Sequence, residues 1–288
     1  YNDPHERMFV FMISKHGNHT LFMNDLFYLE HDLDVNIVWH KDGQDAIQTI
    51  VDEMHFPGRI GIDKNWASHF LLDLMKKLPD AKYINASPCV DLVRMKKDLQ
   101  EQVLMIESSK INDAVMEEII PFIQEGVTEK QLAKKLDELF FNHHSTCYGA
   151  IVAFGKNAAD PHHENDDTPL RKGDCVLIDM GCVYKGYCSD MTRTFFYEGI
   201  LEEEIKVYEI VKKANEAAEA MIKPGVKLSD IDKCARKVIS DEGYGKYFTH
   251  RLGHFIGRDV HEYGDVSSVN EMEVEEGMIF SIEPGIYL

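Results

Sequence analysis

The sequence lacks any apolar run near the roughly 18 residues that a membrane-spanning helix needs, and no signal-peptide pattern opens it. A membrane is therefore not expected as a partner. Basic residues are scarce: 31 Lys and Arg stand against 50 Asp and Glu, a formal net charge of −19. This argues against nucleic acid as a partner, because phosphate binding needs clustered Lys and Arg. No Cys-x-x-Cys pair occurs among Cys89, Cys147, Cys175, Cys182, Cys188 and Cys234. Several lie in apolar, strand-like sequence, where free Cys behaves as a small hydrophobe. A cytoplasmic, reducing compartment is the simplest reading, and no disulfide between Cys182 and Cys188 is expected. What is present is a chain of 288 residues, 44% hydrophobic and 28% charged, enough for one large soluble domain or two ordinary ones. It opens at Tyr1 rather than Met, so its true start is expected to lie upstream.

Up to about Pro88 short strands and helices alternate. Met8–Ser14 and Thr20–Met23 read as a hairpin, Val35–Trp39 as a strand, and Ala46–Met54 as a helix. Arg59–Asp63 returns to strand, Ser68–Lys77 is an amphipathic helix, and Lys82–Asn85 is a last short strand. The histidines here (His5, His16, His19, His31, His40, His55, His69) have no metal-ligand spacing and read as surface or packing residues. Near Asp91 the character changes. A helix over Asp98–Ile123 is expected to bury Leu99, Val103, Ile106, Ile111, Val115 and Ile119 on one face. Thr128 is a good N-cap for a helix over Glu129–Phe141, with Leu132, Leu136 and Leu139 on its apolar face. Ala150–Gly155 reads as a strand before the loop Asp160–Glu164.

The segment from Val176 to Phe196 reads as two strands joined by a Lys185-Gly186 turn. Asp179 and Asp190 are placed opposite each other on this hairpin, where two carboxylates repel unless a cation or a shared proton lies between them. The arrangement occurs twice. Ile123-Gln124-Glu125-Gly126-Val127-Thr128 returns ninety-nine positions later as Ile222-Lys223-Pro224-Gly225-Val226-Lys227, Leu132 is matched by Ile231, and His162 by His261. Gly173–Gly181 then resembles Gly277–Gly285 at an offset of 104, which matches Asp179 with Glu283. Two similar halves are expected to face each other across a pseudo-symmetric site. The partner of Asp190 would fall beyond Leu288.

Asp179, Asp190, His254 and Glu283 are thus the candidate ligands, with His162, His250 and His261 nearby. Three carboxylates and an imidazole suit Mn²⁺, Co²⁺, Fe²⁺ or Zn²⁺ better than thiolate-loving metals or Ca²⁺. The carboxylates suffice to bridge two metals, which would activate a bridging water.

Asp179-x-Gly181 with Ser189-Asp190-Met191-Thr192-Arg193-Thr194, His250-Arg251-Leu252-Gly253-His254-Phe255-Ile256-Gly257 with Val260-His261-Glu262, and Ser281-Ile282-Glu283-Pro284-Gly285 together resemble the pita-bread metallopeptidases. The similarity is greatest to their proline-specific branch, Xaa-Pro dipeptidase (prolidase) and Xaa-Pro aminopeptidase. It implies an α+β fold: a pita-bread catalytic domain over residues 91–288, preceded by a creatinase-type α/β domain over residues 1–90. It implies two divalent metal ions, Mn²⁺ first, held by Asp179, Asp190 as the bridging ligand, His254 and Glu283. Glu283 would double as general base, His162 and His261 would bind substrate and stabilise the tetrahedral intermediate, and His250 would line the proline pocket. A homodimer is implied in the same way. The family's fifth ligand, a glutamate in an Arg-x-Glu-Asp segment, has no counterpart here and is expected beyond Leu288. The function implied is hydrolysis of Xaa-Pro bonds in dipeptides or short peptides. The alternatives are a methionine aminopeptidase-like enzyme, which the region before Asp91 disfavours, and a metal-free binding protein, disfavoured by four retained ligands. Metal-independent creatine hydrolysis is disfavoured by the same two aspartates.

Overall fold

Strand and helix signals in the first ninety residues condense onto small sheets. The structure, a computed structural model, describes residues 5–29, 31, 33–54 and 58–288. The chain divides into two units, Tyr1–Val90 and Asp91–Leu288. In the first, β1 (Val10–Met12) pairs antiparallel with β2 (Thr20–Asn24), and β3 (Asn36–His40) lies parallel to β2. Then come α1 (Ala46–Glu53), β4 (Arg59–Ile62), α2 (Ser68–Lys77) and β5 (Lys82–Asn85), the last parallel to β4. Met8, Phe22, Ile47, Ile50 and Leu74 form its core. His40 is buried and hydrogen-bonds the Met8 carbonyl. Among the described residues none of this unit's histidines joins a metal-ligating cluster; His55 lies outside them. A helix that the sequence reading lacked, α3 (Ser87–Met95), runs across Asp91, where the change in character was placed.

In the second unit α4 (Leu99–Ile119) begins with a capping box between Asp98 and Glu101. Its buried face departs from the expected stripe. Val115 and Ile119 are buried as expected, but Leu99, Val103 and Ile106 are exposed, Leu99 at 80%, and Met105, Ser108, Asn112 and Met116 are buried in their place. The cause is a polar requirement: Ser108 Oγ donates to the Cys182 carbonyl and Asn112 Nδ2 to the Met180 carbonyl, serving a break in the sheet beneath the helix. Next come α5 (Glu129–Asn142), capped by Thr128, β6 (Thr146–Cys147), β7 (Ile151–Phe154), β8 (Cys175–Met180), β9 (Cys182–Tyr184), β10 (Tyr187–Cys188) and β11 (Met191–Phe196). The helices α6 (Glu202–Glu219) and α7 (Leu228–Asp241) follow, then the short antiparallel pair β12 (Gly253–His254) and β13 (Asp265–Val266).

The repeat is structural. The Gly126 amide donates to the Leu170 carbonyl and the Leu170 amide to Val127; in the second copy Gly225, Val274 and Val226 make the same two bonds. Lys130 to Asp166 likewise matches Ser229 to Asn270. Leu132 and Leu136 are fully buried in the first core, as are their counterparts Ile231 and Ala235 in the second. The copies differ at the strand: β8 lies between β7 and β11, whereas the segment after Gly277 is an extended stretch bonded to Leu252 and His254. Among the described residues no helix is long and apolar enough to cross a membrane.

Candidate metal centre

The alternation of β8 puts Val176, Ile178 and Met180 into the core and leaves Asp179 on the opposite face. Its partner across β11 is Thr192, because the ladder runs Met180 to Met191 and Asp179 to Thr192. The simple hairpin of the sequence reading is thus corrected: at Gly181 the chain leaves this sheet, β9 and β10 form a second hairpin with β6, and Asp190 precedes β11. A Cβ on Gly181 would overlap Tyr148 Oη and the Ser189 carbonyl, so only glycine fits the bend. Ser189 is held by its amide to the Cys182 carbonyl, by its Oγ accepting from the Cys182 amide, and by Tyr148 Oη donating to its carbonyl at 2.7 Å. Asp190 is thereby turned back toward Asp179, close enough for the two carboxyls to act on each other.

Two non-local strands bring the remaining donors. The Ser281 amide donates to the His254 carbonyl and the Glu283 amide to Leu252, the bonds that in the first copy are the β7–β8 ladder. Close approach is possible because Gly253 has no side chain to meet Ser281. His254 is buried, with Nε2 3.3 Å from Asp190 Oδ2 and 3.6 Å from Glu283 Oε1. One ligating atom from each of these three residues lies within 4.8 Å of the others. Nδ1 of His254 faces the Phe255 carbonyl, an acceptor, so Nδ1 donates there and Nε2 is the nitrogen turned toward the acids.

Crowding of negative charge shows in the acid–base behaviour. Burial, reinforced by Asp190, raises the Asp179 pKa to about 6 against a hydrogen bond from Thr192. Burial also raises Glu283 to about 7, opposed by His254 and assisted by Asp190 and Asp179. For His254 burial acts downwards, but the hydrogen bond to Asp190 and the charge of Glu283 outweigh it and raise its pKa. Carboxylates that must share protons to coexist, with an imidazole nitrogen turned toward them, fit a divalent cation that would take the place of those protons.

The three flanking histidines are drawn to the same place. The His261 ring stands perpendicular to His254, centroids 4.1 Å apart. His162 is exposed on its loop and lies near enough to interact electrostatically with both His250 and His261. His250 donates from Nδ1 to the Arg251 carbonyl at 2.6 Å, so its Nε2 accepts from Tyr287 Oη at 2.8 Å. Burial lowers its pKa and keeps the ring neutral. Tyr148, Tyr287 and Thr192 are parts of the site that the sequence reading missed. Thr192 was inside the quoted motif; the two tyrosines carried no signal in the repeat.

Residues 103–288 match the model of metallopeptidase family M24. The chain belongs to that family. Within M24, residues 1–96 match the creatinase/prolidase N-terminal domain. The M24 chain is similar over its whole length to an uncharacterized peptidase of Staphylococcus saprophyticus, at 33% identity and covering 83% of that protein. Its fold is that of a dipeptidase from Pyrococcus horikoshii, with a TM-score of 0.92, 36% identity, and coverage of 99% of this chain and 81% of the other. It also matches a prolidase from Thermococcus sibiricus, with a TM-score of 0.92, 34% identity, and coverage of 98% and 79%. A third match is a Xaa-Pro dipeptidase from Bacillus anthracis, with a TM-score of 0.90, 29% identity, and coverage of 99% and 81%. The fold is the α+β pita-bread fold with a creatinase-type N-terminal region, and the protein is an M24 metallopeptidase that uses divalent metal ions.

Proposed function

We propose that this M24 enzyme is an exopeptidase that hydrolyses the bond between an N-terminal residue and a following proline. The observation that carries the reading is the convergence of Asp190, His254 and Glu283 beside Asp179, with His162, His250 and His261 around them. Residues 1–90 are assigned as the creatinase-type domain and residues 91–288 as the catalytic domain.

Asp179, Asp190, His254 and Glu283 would hold two divalent ions, Mn²⁺ first and Co²⁺, Zn²⁺ or Fe²⁺ as alternatives. Bound there, the ions supply Lewis acidity and an acidified water. Glu283 would take the water's proton, as a carboxylate within reach of the other donors can. His162 and His261 donate hydrogen bonds to the carbonyl oxygen as negative charge develops on it. Both ring nitrogens of His250 are engaged, so it offers substrate a neutral ring surface, suited to the apolar pyrrolidine of proline. Arg251 is exposed and close enough for its charge to act on Glu283, His250 and His261; it supplies the positive charge that a dipeptide's carboxylate would meet. A cytoplasmic homodimer is the assembly and setting we assign to it.

The test, made on the full-length protein, is parallel assay of Met-Pro and Met-Ala peptides with and without Mn²⁺, together with metal analysis. Metal-dependent cleavage confined to Met-Pro is expected. Preference for Met-Ala would point to a methionine aminopeptidase, and failure to bind any divalent metal would point to a binding protein.

A further inference from the structure

The loop that carries His162 is built around a buried acid. Glu129, the first residue of α5, is 0% exposed and its carboxylate receives four donors. The Phe154 amide and Asn157 Nδ2 reach Oε1, each at 2.9 Å; the Asp166 amide at 3.0 Å and His163 Nε2 at 2.6 Å reach Oε2. These donors run from the last residue of β7, Phe154, through Asn157 and His163 to Asp166, on both sides of His162. Asn165 adds two further bonds, to the Val152 amide and the Ala150 carbonyl. Glu129, His163 and Asp166 are close enough to suggest a cation site. Every oxygen of Glu129 is already used, however, and Asp166 accepts from the Thr168 amide, so a cation would have to displace those donors. The cluster is a latch on the loop.

Its counterpart in the second copy shows what the latch serves. His162 matches His261, and the next residues, His163 and Glu262, therefore match each other. Glu262 is also anchored inward, to Lys97 Nζ at 2.8 Å and Arg94 at 2.6 Å, with 5% of its side chain exposed and 1% of that of Lys97. In one copy an imidazole donor is tied to a buried acid; in the other an acid is tied to a buried base. The chemistry has opposite polarity, yet the outcome is the same: the residue after each site histidine is fixed. The feature shared by both is the need to hold the preceding imidazole still.

We propose that His163, latched to Glu129, is the positioning residue for His162, setting the distance of that imidazole from the substrate carbonyl. The inference rests on the reading of His162 as a substrate-binding group. A misplacement of about 1 Å costs on the order of 100-fold in rate. Leucine at 163 removes the donor; asparagine keeps the polarity but is too short to reach Glu129; glutamine retains an N–H at useful reach.

The test is a double-mutant cycle on the metal-loaded protein with His162→Ala, His163→Leu and their combination, repeated with His163→Asn so that misfolding of one variant leaves the cycle intact. Expected is a fall in kcat/KM of on the order of 10- to 100-fold for His163→Leu and His163→Asn, with unchanged metal stoichiometry. His163→Gln should recover most of the activity, and the effect of either disruptive variant should nearly vanish in the His162→Ala background. Losses that multiply across the cycle, lost metal stoichiometry, or a glutamine variant as impaired as leucine would overturn the proposal and leave His163 as a folding residue. Full activity in His162→Ala alone would instead remove the substrate-binding reading on which it rests.

Discussion

At the residue scale the centre is governed by where a proton or a cation can stand between acids. Asp190 stands beside both Asp179 and His254, and its charge acts on each. Replacing it by asparagine keeps the shape and removes the charge that would bridge two ions. Asp190→Asn is expected to abolish metal-dependent Xaa-Pro hydrolysis, measured as release of free proline, and to lower metal content. Retained near-normal activity without metal would refute the metal mechanism. The roles of Tyr148 and Tyr287 belong to this scale as well. Each is within hydrogen-bond reach of a residue that holds or flanks the centre, and burial first, then the nearby acids, raises the pKa of both, so both remain neutral donors at physiological pH.

At the element scale the bend at Gly181 decides where Asp190 points. Its missing side chain lets Tyr148 Oη and the Ser189 carbonyl occupy the space a Cβ would need. The carbonyl belongs to the backbone and cannot rotate away as a side-chain tip could. Gly181→Ala is therefore expected to cost roughly 1–3 kcal/mol by overpacking and to weaken metal binding by moving Asp190. Thermal denaturation and metal titration check the two effects separately. That residues 176–178 form a strand was legible from residues alone, but their continuous apolar run hid which face each side chain takes. The register that places Asp179 against Thr192 was not legible, because it depends on the excursion of β9 and β10 between the strands. The face of α4 was misread in its first half, at Leu99, Val103 and Ile106, for a related reason. Its Ser108 and Asn112 are buried to serve carbonyls sixty or more residues away, and no helical period reveals that demand.

For the whole molecule, the site's raised pKa values set a pH dependence. Asp179 and Glu283 have folded-state pKa values above their ordinary ones, so the metal-free protein binds more protons folded than unfolded. Their contribution is fully present below pH about 4 and is lost as pH rises through about 6 and about 7. Comparison of the metal-free protein with an Asp179→Asn, Glu283→Gln variant is expected to show a stability difference that declines over that window. Metal binding must displace the same protons, so affinity is expected to rise with pH across it, and Mn²⁺ should raise Tm more at pH 7.5 than at pH 5. At one hundred times Kd the ion would add about 2.7 kcal/mol. Isothermal titration in buffers of different ionisation enthalpy reads the released protons directly.

By itself the sequence determined the local elements, the internal repeat and the identity of the candidate ligands. Each of these is written in short-range periodicity or in the order of motifs such as Ser189-Asp190-Met191-Thr192 and Ile282-Glu283-Pro284. Tertiary structure alone decided that Asp190, His254 and Glu283 converge within 4.8 Å, that Glu129 closes the loop of His162, and that the acids are held above their ordinary pKa. The physical reason is distance along the chain. Burial, desolvation and the pairing of charges depend on atoms brought together by non-local strand contacts, and those energies do not exist until the two copies have folded against each other.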